Sequence, residues 1–186
     1  MKKNNKGFTL IELLAVIVIL AVLILVALPA VTNLMTRARK SALRTEALDM
    51  ARNGVQLAYS ANMLSGTSVT PSGTISAGST AASNIVYKVS GGEYLCMTFT
   101  DLVNKGYIEK SNTTGYNGHV SIFVDNAGKA EMYIHLTNGT YFIKSSYVDL
   151  ANNNDIDGTV SATSPSGYSN PCPEVKADKT KADLLK

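Results

Sequence analysis

The sequence predicts an α+β protein. One long N-terminal helix, its hydrophobic half protruding, is expected to pack by its C-terminal half on a small antiparallel β-sheet. Three observations carry this reading. Residues 13–28 hold no polar side chain at all. Beyond them, apolar residues recur at helical spacing as far as Tyr59. Between residues 119 and 147, three segments alternate with period two.

The first element is the apolar one. Residues 8–28 would make about 31 Å of helix, the thickness of a bilayer core. Lys2, Lys3 and Lys6 lie before this run and equal in number the whole net charge of +3. A basic leader ahead of an apolar stretch reads as membrane targeting, with the lysines held inside and the C-terminus sent across. The stretch is too long for an ordinary secretory signal, and no A-x-A-like cleavage site follows it. Glu12 stands near its start. An unpaired carboxylate at a bilayer centre costs roughly 2.5 kcal/mol or more, so the residue needs a purpose.

The helix is expected to continue. Val31, Leu34, Ala38, Ala42, Ala47, Ala51, Val55, Ala58 and Tyr59 form one stripe, with Arg39, Lys40, Arg44, Asp49 and Arg52 on other faces. Pro29 removes one backbone hydrogen bond and predicts a kink. The end is placed near residues 62–66. The basic cluster Arg37, Arg39, Lys40 and Arg44 reads as a solvated or headgroup-facing segment. A helix of some 50 residues cannot bury its whole length in a domain of this size. Its first half must meet lipid or copies of itself, and Ala15, Ala21, Ala27 and Ala30 permit close approach.

The rest of the chain suits one β-rich, loop-rich extracellular domain. It is rich in Asn, Ser, Thr and Gly, and the chain has no Trp and 17% charged residues. Residues 65–84 form a Ser/Thr/Gly/Ala loop. A short strand is expected at 84–89. Thr98-x-x-Asp101 caps a short helix at 99–105, which Gly106 ends. Strands follow at 119–125, 130–137 and 140–147, joined by turns at Asp125–Gly128 and at Asn138-Gly139, the second a type I′ signal. The three make a meander with one face on the long helix. Asn112 opens a glycosylation-type sequon. Residues 152–158 are expected to be an Asn/Asp turn cluster with no metal. The calcium alternative at Asn153, Asp155 and Asp157 has Ser164 where the loop's Glu should stand. Residues 175–186 are open between a short helix and disorder.

Cys96 and Cys172 are open between a disulfide and two isolated thiols, with a lean towards thiols because two cysteines are a weak count. His119 and His135 fall at ordinary strand positions. No Ser–His–Asp order, H-E-x-x-H, G-x-S-x-G or phosphate loop is present. No enzyme, no cofactor and no specific nucleic-acid binding are expected.

Lys6-Gly-Phe-Thr-Leu-Ile-Glu-Leu-Leu14 resembles the leader of type IV prepilins and type II secretion pseudopilins, closely over residues 1 to about 60 and in outline beyond. The pattern of residues 99–108 resembles a short helix found after the long helix in Gram-positive-type pilins and pseudopilins. The resemblance implies a pilin fold in four parts: a leader at 1–7, a transmembrane and filament-core half at 8–29, an amphipathic half at 30–62 and a globular head at 63–186. It implies cleavage by a prepilin peptidase between Gly7 and Phe8, N-methylation of Phe8, and pairing of Glu12 with a neighbour's Phe8 amine to set register. It also implies a single-pass cytoplasmic membrane protein that becomes a type IVa-like major pilin in a surface fibre. The fibre would serve adhesion, twitching motility or biofilm formation. Its partners would be identical pilin subunits, minor pilins, and an assembly platform protein and ATPase. A pseudopilin or a minor tip pilin is the alternative.

Overall fold

The computed structural model describes residues 8–56, 59–60, 85–109, 115–152, 155–169, 172–176 and 178–185, without the side chains of Gly54 and Asp157. The leader including Gly7, the expected helix end at 62–66, the loop at 65–84, the Asn112 sequon and Asn153 lie outside these. The chain divides into two compact units, Met1–Arg39 and Lys40–Lys186.

Helix α1 runs Leu10–Asp49, and a π-helical turn follows over Met50–Val55. Pro29 lies inside α1, which continues through it. In the second unit the helix buries Leu43, Ala47, Met50, Ala51 and Val55. This face differs from the expected stripe, because Leu43 replaces the exposed Ala42 as the first contact. The π turn adds one residue to the repeat around Gly54, where the low helix propensity of Gly makes a regular α-turn least favoured.

The sheet has six strands in sequential antiparallel order, rather than the three-stranded meander expected. They are β1 Tyr87–Val89, β2 Gly92–Thr98, β3 Asn117–Asp125, β4 Ala130–Thr137, β5 Phe142–Ser146 and β6 Val160–Ser161. The short helices are α2 Phe99–Asn104, α3 Tyr147–Asn152, α4 Ile156–Thr159 and α5 Lys181–Leu184. Strand β2 went unpredicted because Tyr94, Leu95, Cys96 and Met97 are all buried. Its reverse-face residues Tyr94 and Cys96 are not polar like the His119 and Ser121 of β3, so it has no alternation to read.

Local chemistry sets the connections. Thr98 Oγ1 accepts from Asp101 N at 3.2 Å and donates to the Asp101 carboxylate at 2.6 Å, starting α2. Gly106, at φ +73°, ends it. Its N–H reaches Val103 O and that of Tyr107 reaches Leu102 O, the paired bonds of a Schellman motif. The expected two-residue turn at Asn138-Gly139 is instead a four-residue loop, because Thr137 pairs with Phe142. Asn138 Oδ1 holds it by accepting from Thr140 N and Tyr141 N. Of the described residues in the Asn/Asp-rich stretch, Asn152 ends α3 and Ile156, Asp157 and Gly158 lie in α4.

Both faces of the sheet are covered, not one. Leu95, Met97, Val120, Ile122, Ile134, Leu136 and Ile143 pack with the α1 residues Leu43 and Ala47 and with the π-helical turn. On the reverse face Tyr94, Cys96 and Phe123 meet Cys172, Val175 and Leu184 from the C-terminal segment. There Cys96 and Cys172 form a disulfide with Cα atoms 5.9 Å apart. His119 and His135 are buried on this face with ring centroids 4.6 Å apart. His135 Nδ1 accepts from Ser169 N at 3.1 Å and its ring stacks on Tyr168.

Candidate functional site

The site is the start of α1, built from Phe8, Thr9 and Glu12 with the apolar surface that follows. Thr9 is the residue before the first helical turn, and Glu12 lies three positions on. Glu12 N donates to Thr9 Oγ1 at 3.3 Å. In return Glu12 Oε2 accepts from Thr9 N and from Thr9 Oγ1, both at 2.8 Å. This reciprocal pair is a capping box, which satisfies amide groups that a helix N-terminus leaves without partners. Leu13 N closes the turn onto Thr9 O. Sequence reasoning singled out Glu12 but missed Thr9, although T-x-x-E is itself a legible signal.

The capping box gives Glu12 an occupation within a single chain. One carboxylate oxygen takes two hydrogen bonds, so its charge is partly compensated before any second subunit arrives. A carboxylate at the positive end of a helix is further favoured by the macrodipole. Phe8 is 86% exposed beside it.

From Leu10 to Arg39 every side chain is exposed. Leu10, Ile11, Leu13, Leu14, Val16, Ile17 and the apolar residues after them point outward on all sides of the helix. The helix is long and apolar enough to cross a membrane. In water an unbroken apolar cylinder of this kind is unfavourable at about 25 cal/mol per Å². Lipid or other apolar helices remove that penalty. Thr32 Oγ1 donates to Pro29 O at 3.0 Å, and Thr36 Oγ1 to Thr32 O at 3.0 Å. Both hydroxyls are therefore satisfied by their own helix.

The structure brings Phe8 and Glu12 into one turn and places Pro29 about 26 Å of rise above Glu12. Asp155 is exposed beside α4, and Asp157 lies on α4. Among the described residues no three His, Cys, Asp or Glu side chains converge as a metal site.

Residues 2–28 match the family model described as the prokaryotic N-terminal methylation motif. No curated protein and no solved structure matches the chain. The match covers Gly7, Phe8, Glu12 and the apolar run, and from Phe8 onward it is the segment whose geometry is described above. The chain thus carries a type IV pilin-like prepilin signal, joined to a helix fit to cross a membrane and followed by a six-stranded antiparallel sheet.

Proposed function

We propose that this protein is a structural subunit, the major pilin, of a type IV pilus. A prepilin peptidase cuts between Gly7 and Phe8 and methylates the Phe8 amine. The subunit waits in the cytoplasmic membrane with residues 40–186 outside. A platform protein and its ATPase then extract it into a fibre of identical subunits, with minor pilins as accessory components. In the fibre, Glu12 turns from its own Thr9 to the Phe8 amine of a neighbour. This pairing sets the register, and Pro29 loosens the helix where the packed core begins to give way to the head. The fibre acts in adhesion, surface motility or biofilm formation.

The observation that supports this reading best is the methylation motif on a helix that is apolar and exposed on every side. Such a helix needs identical partners once it leaves lipid. Electron microscopy of cells labelled with antibody to residues 85–185 tests it. Labelling along surface fibres is expected. Labelling confined to fibre tips, or to the cell envelope with no fibres, would assign the chain to a minor pilin or a pseudopilin.

A further inference from the structure

The sequence placed the end of the lipid-compatible surface at Leu28, but the structure carries it further. Thr32 and Thr36 turn their hydroxyls back onto helix carbonyls. Val31, Leu34 and Met35 are exposed like the residues before them. Asn33 is the one polar side chain between Leu13 and Thr36 not turned inward in this way. Arg37 and Arg39 follow at once, both exposed. Neither guanidinium makes a hydrogen bond or ion pair with another described residue, whereas Arg44 is held on Leu150 O.

Spacing gives these arginines a place. Arg37 lies 25 residues after Glu12, a rise of about 38 Å. A bilayer has about 30 Å of hydrocarbon and about 40–45 Å with its headgroups. With the Glu12 capping box at the inner boundary, Arg37 and Arg39 reach the outer headgroup layer. Two residues apart, they lie on opposite sides of the helix, so they encircle it rather than form a one-sided patch. A guanidinium takes a phosphate through two parallel hydrogen bonds, and Arg suits this geometry better than Lys.

We propose that Arg37 and Arg39 form a collar that binds the phosphates of anionic phospholipids in the outer leaflet. The collar rests on the membrane-lodged state of the proposed function and adds to it a lipid-binding site. It holds the waiting subunit at one depth, and the subunit leaves these phosphates when it rises into the fibre.

The full chain in lipid nanodiscs tests this, using phosphatidylglycerol with a photoreactive headgroup at sub-saturating amounts. Crosslinked peptides are mapped by mass spectrometry. Crosslinks are expected at residues 36–40, and separately at Lys2, Lys3 and Lys6 of the leader. In R37Q/R39Q the first set should fall about 25-fold, at roughly fivefold per cation, while the leader set persists as an internal control. Phosphatidylcholine bearing the same label should crosslink at residues 36–40 far less. Leader crosslinks with none at 36–40, or a first set unchanged in R37Q/R39Q, would overturn the collar and leave the membrane reading standing. Release of the chain from membranes by alkaline carbonate would overturn both.

Discussion

Thr9 and Glu12 make the sharpest claim about single residues. Thr9→Ala removes the hydroxyl half of the capping box, the bonds of Thr9 Oγ1 with Glu12 N and Oε2, and should cost the helix N-terminus about 1 kcal/mol. Hydrogen exchange of the amides of residues 10–13, measured in detergent micelles, should speed up accordingly. Protection equal to that of the unaltered chain would show that the Thr9 hydroxyl contributes nothing. Glu12→Ala should leave leader cleavage intact and lower incorporation beside unaltered subunits, as read by subunit counts in sheared fibres. Gly118 carries a different constraint. Its φ is +141°, and a Cβ there would lie 2.0 Å from His135 O. Gly118→Ala must therefore open the pairing of β3 with β4 or shift the backbone, and a loss of a few kcal/mol is expected in urea unfolding. Of these residues, Glu12 was legible because a charge in an apolar run stands out. Gly118 was not, because nothing in the string Asn-Gly-His marks a close backbone approach.

At the scale of elements, alternation decided what could be read. Strands β3 and β4 showed their period because several of their reverse-face positions, His119, Ser121 and His135, are polar although buried. Strand β2 carries Tyr94 and Cys96 at those positions and showed only a short apolar run. The reverse cover was hidden for another reason. Val175 and the pair Leu184-Leu185 are sparse apolar residues in a polar tail, and only the fold brings them to one face. The disulfide was equally hidden, since two cysteines 76 residues apart give no pattern to count. Closing a loop of that length contributes about 4 kcal/mol in the chain-entropy account. Cys96→Ser with Cys172→Ser should lower the urea midpoint by a corresponding amount, and an unchanged midpoint would refute that contribution. Helix α5 is held by a further contact. Lys181 Nζ lies 2.6 Å from Glu131, and Lys129 Nζ lies 3.1 Å from it. Hydrogen bonds from Lys181 and then Lys129 hold the Glu131 carboxyl below its usual range. A lowered folded value means stability that is present above the unfolded value, near 4.5, and lost as pH falls through the folded one. The site is partly exposed, so the effect is about 0.5 kcal/mol. The stability gap between the unaltered chain and Glu131→Gln should be present at pH 6 and close towards pH 3. A gap that does not change with pH would remove the ion pair from the account.

At the scale of the whole molecule, the two units answer to different solvents. Residues 40–186 bury apolar side chains on both faces of one sheet. Residues 8–39 bury none, and their stability depends on what surrounds them. The sequence made this division visible through the unbroken apolar run and the leader motif, which physics and resemblance both single out. The central claim is that the apolar unit is processed for assembly. Mass spectrometry of the N-terminal peptide from chain recovered in sheared surface fibres tests it most directly. The expected peptide begins at Phe8 and carries a methyl group on its amine. A chain that begins at Met1 or at any residue other than Phe8, or an unmethylated Phe8, would contradict it.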